Sequence, residues 1–254
     1  MTDGQAADET VRRDELAGRW AALQRRVGAA CESVGRDPSE VTVVAVTKTF
    51  PASDIGLLAE LGVRDVGENR DQEAAAKAAA CREAGVSGLR WHFVGQLQTN
   101  KAASVAGYAD VVHSIDRVRL VNALDKGAAG HDRRIDCLVQ IDLDPGADDG
   151  AREPGKASAH RGGAAPSQAE EVCAAIDAAE HLRLSGVMGV APLGGDPGEA
   201  FARLSHLRRE LASTYAGLTV MSAGMSDDLE AAVAHGATHL RVGRALLGSR
   251  PPLG

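Results

Sequence analysis

Apolar and polar positions alternate in two rhythms along this chain. Short β-branched runs occur at 41–47, 64–67, 90–95, 110–115, 135–143, 182–191, 218–223 and 238–242. Between them lie alanine-rich stretches with apolar positions at helical spacing, at 71–84, 96–106, 168–179, 197–215 and 227–235. The first rhythm marks strands and the second marks amphipathic helices. One more helix, over about 8–33, precedes the first strand. Eight strand–helix units in 254 residues predict an α/β fold, a single (β/α)8 TIM barrel with an extra N-terminal helix, in one domain over 1–254. An open doubly wound sheet is the alternative, but no GxGxxG follows the first strand. The stretch 145–166, PGADDGAREPGKASAHRGGAAP, breaks the pattern. It is rich in Gly, Pro, Ala and charge and has no apolar period, so a mobile loop is expected there. It follows the fifth strand and therefore belongs to the rim where barrels carry function.

Composition narrows the partners. The formal charge is −7 with 25% charged residues, which argues against a nucleic-acid partner. No run reaches the roughly 18 apolar residues of a membrane span. The start, Met1-Thr2-Asp3-Gly4, lacks a signal-peptide core. Cys31, Cys81, Cys137 and Cys173 are far apart, without CxxC spacing. They read as reduced thiols of a cytoplasmic protein, not as a disulfide frame or a metal site.

In a parallel barrel the functional groups gather at the C-terminal strand ends. Lys48 follows the first strand, where apolar neighbours would disfavour its charged form and leave a neutral amine able to attack an aldehyde. The plainer reading is a lysine reaching from a strand end to water. Gly67-Glu68-Asn69-Arg70 follows the second strand, His92 lies within the third, and Ser222-Ala223-Gly224-Met225-Ser226 follows the seventh. Arg241-Val242-Gly243-Arg244 closes the eighth. The loops after strands seven and eight are the usual phosphate site of this fold. Ser222 offers a hydroxyl, Gly224 close backbone approach, and Ser226 the N-cap of the next helix. The turn at Gly243 would present backbone N–H groups to an anion. Two helix starts with glycine turns would look the same. Strands one and eight are neighbours in a closed barrel, so Lys48 would stand beside this cradle, as a phosphorylated aldehyde requires.

The motifs VAVTKTFPAS, GENRDQE, WHFVGQLQTNK, HSIDR, GVMGVAPL and MSAGMSDDLEAAVAHGATHLRVGRALLG resemble, in order, those of the YggS/PROSC family of pyridoxal-phosphate homeostasis proteins. The resemblance runs from about Glu15 to Gly248. It implies the barrel of fold-type III pyridoxal-phosphate proteins, similar to the N-terminal domain of alanine racemase, with pyridoxal 5′-phosphate held by Lys48 as a Schiff base. By position it implies that Ser222 and Gly243 contact the phosphate, with Met225 and Ser226 in the same loop. Arg241 would face the pyridine nitrogen, which makes the cofactor a weaker electron sink. Asn69 and His92 would line the mouth, unless Asn69 caps a helix and His92 is a satisfied core histidine. Arg244 stands where relatives carry Thr or Ser, and its guanidinium either replaces that contact or points to solvent.

Three functions fit such a site: a pyridoxal-phosphate carrier without robust turnover, an amino-acid racemase, and a lysine-dependent aldolase. A two-base racemase needs a second acid/base opposite the lysine. The only tyrosines, Tyr108 and Tyr215, fall in helix or loop segments, and no further domain follows the barrel in this sequence. An aldolase would leave the arginine and serine loops unexplained. The expectation is a cytoplasmic carrier, a monomer, with apo pyridoxal-phosphate enzymes as possible recipients.

Overall fold

The computed structural model describes residues 3–144, 146–147 and 162–249. Helix α1 (Asp3–Glu32) precedes β1 (Thr42–Val46), and strand and helix then alternate. They run α2 (Ala52–Glu60), β2 (Asp65–Glu68), α3 (Asp71–Glu83), β3 (Arg90–Phe93), α4 (Ala102–Ala106), β4 (Val111–Ile115), α5 (Val118–Gly130) and β5 (Ile135–Ile141). The series continues with α6 (Ala169–Asp177), β6 (Leu182–Gly189), α7 (Pro197–Ala212), β7 (Val220–Ser222), α8 (Leu229–Ala234), β8 (His239–Val242) and α9 (Arg244–Leu247). All eight strands are parallel and close into a barrel, with β8 pairing β1 from Thr42↔His239 to Ala45↔Val242. The expected (β/α)8 barrel with a leading helix is the observed fold.

Every expected strand is present, most of them shorter than the apolar run that marked them. The run continues past the ladder because strand ends and the following turns are also buried. Thr47 is fully buried although it lies beyond β1. The expected helix over 96–106 starts late: a 3-10 turn, Thr99–Lys101, precedes α4. A Cβ on Gly95 would lie 2.2 Å from the carbonyl oxygen of Asn69, so the loop after β2 presses directly on the loop after β3. That contact requires glycine and an irregular backbone. Most of 145–166 lies outside the described residues. Its last part is tied to β5: the Ala164 N–H donates to the Gln140 carbonyl at 2.8 Å, and Asp142 N–H to the Ala164 carbonyl at 2.9 Å.

The main core fills the shell between barrel and helices. Leu16, Leu23, Val27 and Cys31 form the buried stripe of α1, which lies against α2, α8 and α9 where β8 meets β1. Arg12 fixes that docking by donating to Asp54 and to the Leu247 carbonyl. All four cysteines are buried and unpaired, and burial pushes the Cys173 thiol up to about 12, which keeps it a thiol. Among the described residues no helix is long and apolar enough to cross a membrane, and no metal-binding cluster occurs.

Candidate functional site

Lys48 stands two residues beyond β1, half-buried, in a turn closed by Phe50 N–H donating to the Thr47 carbonyl at 3.0 Å. The β1–β8 register brings the end of β8 alongside. A Cβ on Gly243 would meet the Val46 carbonyl oxygen at 3.3 Å, so the two strand ends are in close contact. The lysine and the last glycine turn, separated by nearly 200 residues of chain, are neighbours.

The loop after β7 is folded tightly against β8. Ala223 N–H donates to the His239 carbonyl at 3.1 Å, and Arg241 N–H to the Gly224 carbonyl at 2.9 Å. Gly224 has φ +88°, and a Cβ there would lie 2.5 Å from that of Ala232, so glycine is required twice over. Met225 is partly exposed, with its N–H committed to Asp228 at 2.5 Å. Ser226 does not cap the next helix as expected. α8 begins later, behind Asp228, and Ser226 Oγ instead accepts from Ala245 N–H at 3.2 Å. The hydroxyl thus ties the β7 loop to the β8 turn. Arg244 pairs with Asp227 at 2.5 Å with both side chains largely exposed, so its guanidinium turns to solvent. α9 has only four residues, so the backbone of the turn, not a helix dipole, is what faces an anion there.

Inside the barrel the structure reveals an arrangement that strand ends alone did not disclose. His92 does not line the mouth; it is almost fully buried and bonded on both sides. Its Nε2 lies 2.8 Å from Asp65 Oδ1 and its Nδ1 2.8 Å from His113 Nε2. His113 Nδ1 lies 2.9 Å from Ser222 Oγ, and Arg241 donates to Ser222 Oγ at 2.7 Å and to the Gly189 carbonyl at 2.9 Å. Five side chains from β2, β3, β4, β7 and β8 form one continuous buried chain.

Proton counting gives this chain a direction. Burial opposes ionisation of Asp65, but the hydrogen bond from His92 and the electrostatic pull of His92, Arg90 and His239 together outweigh it and hold the carboxyl low. Burial likewise lowers His92 and, more strongly, His113, so both imidazoles are neutral. An ionised carboxylate only accepts, which assigns the proton of His92 to Nε2. His92 Nδ1 then accepts from His113 Nε2–H, and His113 Nδ1 accepts from the Ser222 hydroxyl. Ser222, expected as a phosphate donor, has its proton directed to His113. Its oxygen steadies Arg241, whose own pKa burial lowers to about 10. Ser222→Ala would leave Arg241 Nη1 and His113 Nδ1 unpaired in the interior. The expected loss is about 1–3 kcal/mol of stability, read from urea unfolding; an unchanged midpoint would refute this account.

Asn69 follows β2, half-buried; it does not cap α3, whose N-cap is Arg70. Asn69 Oδ1 and Ser114 Oγ, near the ends of β2 and β4, are buried with no hydrogen-bond partner among the described residues. The orphaned Asn69 oxygen after β2, with Lys48 after the adjacent β1 and the Gly243 turn across the seam, fits a mouth that receives a polar compound. His113, Asp65, Glu73 and Lys77 were not singled out from sequence. The available signal was a polar residue at an inward position of an otherwise apolar strand, as in Val111-Val112-His113.

A closed parallel barrel with a lysine after its first strand and glycine turns after its last two defines the alanine racemase N-terminal type, and the family model described as alanine racemase, N-terminal domain, matches residues 19–251. The chain is 43% identical to the pyridoxal phosphate homeostasis protein of Mycobacterium tuberculosis, with 94% of each covered. It is 34% identical to that of Escherichia coli, covering 93% of this chain and 97% of that one. Among solved structures it is similar to PipY of Synechococcus elongatus with PLP bound, at a TM-score of 0.76 and 32% identity, covering 92% of this chain and all of that one. The chain belongs to the family of pyridoxal phosphate homeostasis proteins.

Proposed function

We propose that this chain binds pyridoxal 5′-phosphate and serves its homeostasis, with Lys48 as the amine that holds it. When bound, the cofactor supplies an aldehyde whose carbonyl carbon joins a primary amine with loss of one water. The observation that carries this reading is the adjacency of Lys48 to the Gly243 turn across the β1–β8 seam. PipY of Synechococcus elongatus, solved with PLP bound, supports it from outside. The backbone around Gly243 and Arg244 and the loop through Met225 and Ser226 would receive the phosphate. Ser226 accepts from Ala245 and keeps its own proton as a donor. Arg241, fixed by Ser222 and Gly189, would face the ring, and Asn69 would offer its unpaired oxygen.

The same reading makes the protein a carrier and not a racemase. Tyr108 precedes β4 and Tyr215 precedes β7, at the ends of strands away from Lys48. Burial pushes the Tyr108 hydroxyl well above its ordinary range, the opposite of what a proton-abstracting tyrosinate needs. A cationic arginine beside the ring would also keep the cofactor a weak electron sink. The carrier acts in the cytoplasm as a monomer and delivers its cofactor to apo-enzymes. The test is to load the protein with pyridoxal 5′-phosphate, follow its visible band, and incubate with L-alanine. A band with no enantiomer exchange is expected. Turnover of roughly 1 per second or faster would place the protein among enzymes.

A further inference from the structure

Lys77 of α3 is a buried ammonium, 7% exposed, whose three N–H donors are all used. They go to Glu68 Oε1 at 2.7 Å, Glu73 Oε1 at 2.7 Å and the backbone carbonyl of Thr47 at 2.8 Å. The same Glu73 oxygen accepts the backbone N–H of Thr49 at 2.6 Å. Thr47 adds its hydroxyl to Glu68 Oε1 at 2.6 Å. The residues immediately before and after Lys48 are therefore both held by one charged cluster, built on β2 and α3.

Thr49 shows why a clamp is needed. Its φ is +69°, in the left-handed region that β-branched residues avoid. Such a conformation persists only where the surroundings impose it. The carboxylate of Glu73 grips the Thr49 N–H and the ammonium of Lys77 grips the Thr47 carbonyl. Together they fix the peptide planes on both sides of Lys48, and with them the origin and direction of its side chain. Burial opposes ionisation of Glu73, but the bonds from Lys77 and from the Thr49 N–H prevail and hold its carboxyl low. The acceptor is thus charged at neutral pH, and charge-assisted bonds are the strong ones.

We propose that Glu73 and Lys77 are positioning residues for Lys48, which hold the Thr47–Thr49 turn so that the amine is aimed before any carbonyl compound arrives. This rests on the assignment of Lys48 as the cofactor-bearing amine. They act through the backbone, on the Thr47 carbonyl and the Thr49 N–H. A cluster present only for stability would sit equally well elsewhere on α3, whereas here its free donors and acceptors end on the two residues flanking the lysine.

The test compares Glu73→Ala with Glu73→Gln in the full-length protein, by pyridoxal-phosphate titration and by borohydride trapping across pH. Gln keeps an acceptor oxygen for the Thr49 N–H but loses the ion pair with Lys77. Glu73→Ala should weaken attachment about tenfold, the scale of one charge-assisted hydrogen bond, and shift the pH profile of trapping. Glu73→Gln, which restores a neutral acceptor without the charge, should recover part of that loss. Wild-type behaviour of Glu73→Ala, or a Gln variant as poor as the Ala variant, would overturn the proposal. Hydrogen exchange at the Thr49 amide of the unaltered protein needs no variant that folds. Strong protection is expected, and rapid exchange would also overturn it. If trapping labels a lysine other than Lys48, the cofactor assignment fails, while the amide exchange still judges the clamp.

Discussion

Replacing Lys48 by alanine should abolish borohydride-stable attachment of pyridoxal 5′-phosphate and leave the barrel folded. Among the described residues no other lysine combines a place at the end of β1 with the β8 turn across the seam. In the proposed site this amine forms the covalent bond to the aldehyde, so its loss is expected to remove the linkage entirely. Lys48 is half-buried and lies outside the strand ladder, so the change in stability should stay within about 1 kcal/mol. Peptide mapping after reduction checks the result. Label on Lys101 or Lys126 in the unaltered protein would mean that the barrel presents a different amine. Residual reversible binding in the variant is expected, because Arg241 and the turns proposed to receive the phosphate are untouched.

A second large effect is acid lability. Burial above all, with the neighbouring His92 and Arg90 adding to it and Asp65 opposing, lowers His239 from its ordinary range to about 4. Burial moves His92 and His113 the same way, with Arg241 adding to the effect on His113. In each case the unfolded chain takes up a proton at a higher pH than the folded one. Stability is therefore fully present above about pH 6.5 and is lost as pH falls from there toward 4. His239 alone accounts for about 3 kcal/mol across that window. Asp65, held low in the fold, extends the loss as pH falls below about 4. Urea midpoints at pH 7.5, 6 and 5 should decline steeply, and His239→Gln should flatten the decline. A midpoint independent of pH over this range would mean that the interior histidines take up protons in the fold as readily as in the unfolded chain.

The interior relay also bears on how the guanidinium under the mouth is held. Among the described residues no carboxylate lies within hydrogen-bonding distance of Arg241; it leans on a serine hydroxyl and a backbone carbonyl. That oxygen is available because His113 takes the serine's proton, and His113 can take it because Asp65 orders the two rings. A carboxylate near the start of β2 thus reaches the mouth through four side chains. This is the physical content of a polar layer in a barrel otherwise packed with Val111, Leu138 and Met188.

The sequence by itself determined the architecture and the strand ends. Apolar runs alternating with helical stretches are enough to count eight units, because each strand of a closed parallel barrel is buried on both faces and each helix on one. Lys48, Gly224 and Gly243 were visible because a lysine after an apolar run and glycines in turns are local features. What only the tertiary structure decided is where side chains end. Ser226 bonds Ala245 and caps no helix, Arg244 turns to Asp227, and His92 joins Asp65 to His113. The clamp of Glu73 and Lys77 on the residues flanking Lys48 is of the same kind. These bonds join residues 17 to 30 positions apart, and choose between partners that a local pattern leaves equivalent. They exist because barrel closure brings inward positions of different strands to one level, and no local pattern encodes that distance.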